Sequence, residues 1–262
     1  MSVRLVHLSD IHFGAENPIA TEAAISATRA LSPDAVILTG DLTLRGRSRE
    51  FKAARNWLCR LPRPLLVTPG NHDTPYWNLM LRTMAPFDRY RRYVAPLSET
   101  KIDLPDLVVR AVNTARGAQP RLNWSKGAVN LAAIRQAASE MKRTKAALKV
   151  LVCHHPLIET EYVAVSGGVH RGEAAALLLA DAGIDLILTG HVHNPFAVLL
   201  PYPGGMTYAV GGGTLSLRTR GTPEGFSVIE ADAARIKISA LSWSGSAFEP
   251  FLSWSLPRRS CC

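Results

Sequence analysis

Five times in its first 193 residues this chain runs through a short apolar stretch and stops at an aspartate, an asparagine or a histidine. Val3–Leu8 gives way to Ser9-Asp10-Ile11-His12, and residues 34–39 give way to Gly40-Asp41. Residues 64–68 lead to Gly70-Asn71-His72-Asp73, Leu148–Val152 to Cys153-His154-His155, and residues 184–189 to Gly190-His191-Val192-His193. Short continuous runs of Val, Ile and Leu read as strands buried on both faces. Between them, residues 19–31, 48–59, 129–142 and 172–182 place apolar side chains at helical spacing. Strands alternating with helices predict βαβ units and hence largely parallel pairing. Parallel strands end on one edge, which is where open α/β sheets bind ligands.

After His193 the texture changes. Apolar pieces near 196–200, 206–210, 226–230 and 235–241 are separated by Gly and Pro, a pattern that predicts antiparallel strands joined by turns. With a further strand expected at 107–112, the chain reads as one domain over 1–262, α/β first and β-rich at its end. Segments 74–100 and 158–170 are expected to form a rim or cap. Trp77, Tyr90, Tyr93 and Tyr162 in these segments either stack a base or pack the loops.

Composition narrows the class. No run of 18 apolar residues predicts a membrane span, and the N-terminus enters a strand pattern without a signal-like apolar region. A cytoplasmic protein is the expectation. No CxxC pair suggests a zinc or redox site, and Cys261-Cys262 reads as a frayed tail. The formal charge of +9 favours anionic ligands without choosing among them. Arg82, Arg89, Arg91 and Arg92 form the densest basic cluster, either a phosphate or nucleic-acid surface or a solvated helix face.

Six of the eight histidines fall in the five strand-end motifs, a coincidence that separate structural roles explain poorly. His7 and His170 are the two outside, expected to be structural or at the rim. In extended chain alternate residues point the same way, so Asp10 with His12, and His191 with His193, each address one locus. Imidazole, carboxylate and amide oxygen without thiolate suit Mn, Fe, Co, Ni or Zn. Seven residues exceed one ordinary site but suffice for two ions if a carboxylate is shared, and Asp41 is central enough to be the bridge.

In order, Asp10-x-His12, Gly40-Asp41, Gly70-Asn71-His72-Asp73, His154-x-Pro156 and Gly190-His191-x-His193 resemble the motif blocks of the calcineurin-like metallophosphoesterases. The run Gly40–Thr43 with Arg49-Glu50-Phe51 looks most like the bacterial cyclic-nucleotide and glycerophosphodiester phosphodiesterase branch. The resemblance implies a four-layer sandwich of two mixed β-sheets flanked by helices. It also implies one metal held by Asp10, His12, Asp41 and His193, and another by Asp41, Asn71, His154 and His191, with Mn, Fe or Zn as the ions. Phosphoprotein phosphatases of this superfamily carry an Asp where this chain has Leu44, which argues against that branch.

The chemistry expected is hydrolysis of a small phosphodiester by a metal-bridging hydroxide, since ions about 3.5–4 Å apart lower the pKa of water to about 7. His72 is the candidate phosphate contact or proton donor. Asp73 either orients His72 or caps the local turn, and His155 faces substrate or supports a ligand. A DNA exonuclease or a phosphomonoesterase on the same fold are the competing enzyme readings. A salt-dependent affinity for DNA separates out the first. A non-catalytic scaffold is the competing class, but every ligand position is filled here.

Overall fold

The computed structural model describes residues 2–120, 123–159, 168–202 and 205–259. Two mixed six-stranded sheets face each other, and helices cover their outer sides. In the first sheet β1 (Val3–Leu8), β2 (Ala35–Leu38) and β3 (Leu65–Val67) are parallel. They are linked through α1 (Pro18–Ala30) and α2 (Ser48–Leu58). Between β3 and the second sheet come two short helices, α3 (Leu79–Met84) and α4 (Asp88–Tyr93).

The second sheet begins with β4 (Lys101–Asp103), antiparallel to β5 (Leu107–Ala111). Parallel to β5 runs β6 (Leu148–Val152), reached through α5 (Leu131–Lys142); β7 (Leu186–Thr189) follows α6 (Gly172–Asp181). β8 (Phe196–Leu199) forms the far edge beside β9 (Tyr208–Gly211). The chain then returns to the first sheet as β10 (Gly225–Ala231), β11 (Arg235–Trp243) and β12 (Phe248–Pro257), antiparallel to one another and, through β10, to β1.

Strand alternation distributes the apolar residues among three layers. Leu5, Ile37 and Leu66 point inward against Val109, Val150 and Leu188, forming the core between the sheets. Their neighbours Val6, Leu8 and Leu38 point outward onto Ile25, Phe51 and Trp57 of α1 and α2. On the other side Leu151 and Ile187 meet Ile134 and Leu179 of α5 and α6. Burial on both faces is why these strands read as continuous apolar runs. Asn17 caps α1 by accepting from the amides of Ile19 and Ala20, and Pro18 fits the first helical position, where its missing N–H costs nothing.

Two expectations need correction. Strand β9 was expected among antiparallel neighbours; it is antiparallel to β8 but parallel to β7, so it completes the parallel set. β12 had no expected counterpart, because Pro250 and Pro257 interrupt its pattern. It forms the exposed edge of the first sheet, where proline is tolerated, and a register shift in its pairing falls between Ala240 and Leu241. Among the described residues no helix is long and apolar enough to cross a membrane.

Candidate metal centre

Strands β1, β2, β3, β6 and β7 end at Leu8, Leu38, Val67, Val152 and Thr189, and Asp10, His12, Asp41, Asn71, His154, His191 and His193 lie just beyond them. The paired residues do not converge through extended chain, which corrects the spacing argument. Asp10, His12, Asp41, His191 and His193 have φ of 51°, 50°, 50°, 71° and 64°, all left-handed. The loops curl over the sheet edge, and the curl aims the side chains inward. For non-glycine residues this conformation costs roughly 1–2 kcal/mol each, though Asp and His accept it better than most. Backbone bonds hold it, from Asp10 N to Gly40 O at 3.0 Å and from His12 N to Asp41 O at 3.0 Å. Two glycines permit the close approach. A Cβ at Gly40 would stand 2.7 Å from His154 Nδ1, and one at Gly70 would overlap Asp41 Oδ1.

Three histidines are oriented from behind. Nδ1 of His12 faces Thr43 O at 3.3 Å, that of His154 faces Thr39 O at 2.6 Å, and that of His193 faces Arg218 O at 2.6 Å. Carbonyls only accept, so each Nδ1 carries the proton and each Nε2 is left to face the centre. There His12 Nε2 and His193 Nε2 lie 3.1 Å apart, and Asp10 Oδ1 is 3.2 Å from the latter and 3.7 Å from the former. Asp10 Oδ1 is buried with no hydrogen-bond partner among the described residues. Its other oxygen accepts from His191 N at 2.9 Å and from Ser9 Oγ. Three acceptors converging in a buried space need a cation between them. Their spacing suits donors sharing an ion with bonds of about 2.0–2.2 Å.

Asp41 joins this cluster to a second. Its Oδ2 is 3.8 Å from His12 Nε2 and 3.4 Å from His154 Nε2, and His154 Nε2 is 3.2 Å from Asn71 Oδ1. The His191 ring lies 5.3 Å from that of His154. Burial holds His12 and His191 down to about 3, so both are neutral at pH 7, the form that ligates metal. Burial also opposes charge on His154, but Asp41 outweighs it and raises His154 to about 9; an ion arriving there displaces a proton. His155 has no lone pair to spare, because Nδ1 is 2.9 Å from Thr114 Oγ1 and Nε2 donates to Ser125 O at 2.8 Å. It therefore buttresses the rings of His154 and His191, 4.8 and 4.7 Å away.

The next two residues divide their roles. His72 N donates to Asp41 Oδ1 at 2.8 Å, and its Nδ1 donates to Leu44 O at 2.7 Å. The backbone carbonyl of Leu44 thus orients this ring without a carboxylate. Asp73 turns away from His72. It accepts from Gly70 N at 2.9 Å, Leu42 N at 3.3 Å, and Thr43 N and Oγ1 at 2.9 and 3.0 Å. These are the bonds of a turn cap tying the second loop to the third. Burial, with Asp41 nearby, raises Asp73 to about 7. His7 lies behind the centre, where its Nε2 meets Thr39 Oγ1 at 2.9 Å and Thr39 Oγ1 donates to Ser9 Oγ at 2.8 Å. His170 is exposed and pairs with Ala128 through an isolated parallel bridge.

Two arginines that reach the centre escaped the sequence reading. Arg218 Nη1 lies 3.4 Å from each ring nitrogen of His12 and donates to His72 Nε2 at 3.3 Å. Arg220 Nη1 is buried with no hydrogen-bond partner among the described residues. Burial pulls its pKa down, while Asp10 and Asp41 pull it up. Both follow the triple glycine Gly211-Gly212-Gly213, which leads out of β9 across the site. That glycine run before two arginines was the available signal.

The basic cluster singled out earlier is dispersed. Arg82 is buried, with its Nε donating to Gly117 O; Arg89 donates to Gly46 O, Arg91 pairs with Asp88, and Arg92 lies over Tyr93. Beside His72 opens a pocket of about 360 Å³ lined by Asn71, Tyr76, Leu79, Arg82, Trp124 and Ser125 among others. Tyr90 is a core residue, its hydroxyl donating to Val67 O at 2.7 Å. Tyr162, Cys261, Cys262 and most of segment 158–170 lie outside the described residues.

Residues 3–195 match the family model for calcineurin-like phosphoesterases, and the chain belongs to that family. Over 80 residues it is 38% identical to the glycerophosphodiester phosphodiesterase GpdQ of Enterobacter lignolyticus (strain SCF1), a match covering 26% of this chain and 29% of that relative. A probable cyclic nucleotide phosphodiesterase of Vesicomyosocius okutanii subsp. Calyptogena okutanii (strain HA) is 32% identical over 80 residues, 28% of this chain and 34% of that one. The matches thus span about a third or less of these relatives. In fold, the chain resembles the purple acid phosphatase PPD1 of yellow lupin, with a TM-score of 0.65 at 15% identity over 98% of this chain and 54% of that one.

Proposed function

We propose that this protein hydrolyses a small phosphodiester of the cyclic-nucleotide or glycerophosphodiester type at a two-ion centre. Asp10, His12, Asp41 and His193 would hold one ion, and Asp41, Asn71, His154 and His191 the other, with Mn, Fe or Zn suiting the donor set. The observation that carries this reading is the convergence of buried acceptors around Asp10 Oδ1 and Asp41 Oδ2 beneath two arginines. When bound, divalent ions supply Lewis acidity and lower the pKa of water into the neutral range.

The chain's own residues do the rest. Arg218 and Arg220 offer guanidinium donors to the non-bridging oxygens of the phosphoester, bonds that strengthen as charge builds in the transition state. Arg218 Nη1 donates to His72 Nε2. Once Arg218 turns to a phosphate oxygen, that nitrogen takes up a proton from solvent, and His72, held through Nδ1 by Leu44 O, delivers it to the leaving oxygen. Asp73 acts through the loop, fixing Asp41 and His72 by capping the turn between them. The diester preference draws on the relatives' names and on the pocket beside His72, which gives the second ester group a place outside the centre. On this reading the chain is one domain, and Tyr76, Leu79 and Arg82 of segment 74–100 line the pocket that selects the substrate.

A rate panel under defined Mn, Fe or Zn loading tests the reading, comparing diaryl and monoaryl phosphates, cyclic nucleotides, glycerophosphodiesters and DNA. Diesters should lead. Monoester turnover exceeding diester turnover under every metal would refute the preference, and inactivity on all of them would refute the hydrolase.

A further inference from the structure

Five of the large exposed apolar side chains fall within nine residues, and two of them, Tyr76 and Leu79, line the pocket. Tyr76, Trp77, Leu79, Met80 and Met84 are 50, 69, 60, 74 and 74% exposed. Scattered exposed apolar residues are ordinary, but a concentration beside a binding pocket marks an interaction surface. Residues 76–84 contain no acidic side chain. The Arg45 guanidinium lies 5.9 Å over the Trp77 ring, and that of Arg82 lies beneath the patch, 5.6 Å over Trp124. Leu217, 64% exposed, precedes Arg218 on the loop that crosses the centre.

We propose that Trp77, Leu79, Met80 and Met84, with Arg45, dock this protein on an anionic lipid surface, which presents the phosphoester headgroup of an amphiphilic substrate to the adjacent pocket. The substrate half rests on the hydrolase reading above; the docking half does not.

Three observations favour a lipid surface over other occupants. The composition is that of interfacial segments: an aromatic ring at the polar boundary, flexible Leu and Met, and guanidinium groups alongside. The chain's net charge of +9 complements an anionic leaflet. Position matters most. Leu79 and Tyr76 belong both to the patch and to the pocket lined by His72. A second protein seated there would close the mouth, whereas a lipid surface covers the same side chains and delivers substrate through it.

The test uses the full chain with sedimented vesicles of phosphatidylcholine, with and without phosphatidylglycerol. Binding is expected to the mixed vesicles, stronger with more phosphatidylglycerol and weaker with added salt. The double variant M80S/M84S should lose at least about tenfold in partition, as removal of two inserted apolar side chains implies. Its turnover of soluble bis(para-nitrophenyl) phosphate should match the wild type. A protein that stays in the supernatant, or a variant that partitions like the wild type, overturns the proposal. So does a dimer that M80S/M84S dissociates, which would assign the patch to a second copy. Vesicle binding by a protein inactive on every phosphoester would leave the docking surface standing while the hydrolase reading fell.

Discussion

Around Asp10 and Asp41, charged and polar side chains are buried, tied to backbone carbonyls and amides, and aimed at one another. Along residues 76–84, on and just before the short helix α3, apolar side chains stand in solvent. Each region inverts the usual rule that polar groups go outside and apolar groups inside. The inversions differ in what they lack. The centre gathers buried acceptors without a cation between them, while the rim exposes apolar side chains to water.

The contrast can be broken at several points. Asp41→Asn faces both clusters and should have the largest effect: loss of at least one ion by elemental analysis, with turnover falling by more than the ~100-fold typical of residues that merely support ligands. Two retained ions at wild-type affinity would remove Asp41 as the bridge. His72→Ala should keep both ions yet lose about 10²–10⁴ in turnover, and unchanged rates on every substrate would end its role as acid. Arg218→Ala should cost about 10–100-fold in kcat/KM, the value of a charged hydrogen bond of about 1.5–3 kcal/mol. A loss confined to metal content would instead make the Arg218 guanidinium a support for His12, 3.4 Å from it.

Two smaller effects concern stability. Asp73→Ala strands buried amides of Gly70 and Thr43, and denaturant titration should show a loss of about 1–3 kcal/mol. An unchanged midpoint would contradict the cap. The M80S/M84S variant should fall within about 0.5 kcal/mol of the wild type in the same titration, since both side chains are already exposed. A larger loss would mean the rim packs against the body and the two regions are less different than they look.

Much of this contrast was open to sequence reading on one side only. Strands β1, β2, β3, β6 and β7 announce themselves because burial on both faces leaves uninterrupted apolar runs, and the polar groups at their ends stand out against them. The loop conformation did not show. Nothing in Asp10-Ile11-His12 distinguishes an extended pair from a left-handed curl, because the curl is imposed by the amides and glycines of other loops. Arg218 and Arg220 were hidden for a similar reason. They reach the centre only because β9 pairs with β7 in parallel, which the turn-rich C-terminal pattern did not suggest. The dispersal of the Arg82–Arg92 cluster depends on carbonyls supplied by distant turns such as Gly117 and Gly46. In β12 the prolines masked a strand that tolerates them only because it is an edge.

The left-handed backbone at Asp10, His12, Asp41, His191 and His193 also restricts how a centre like this decays by mutation. A drift to alanine or valine at any of the five would remove a donor and strain the loop at once, a double penalty that selection sees even in a lineage no longer using the chemistry. Asparagine and glycine accept the same conformation with less strain. Descendants that have abandoned catalysis should therefore carry Asn or Gly at these positions more often than small apolar residues, with the loop geometry outlasting the reaction it once served.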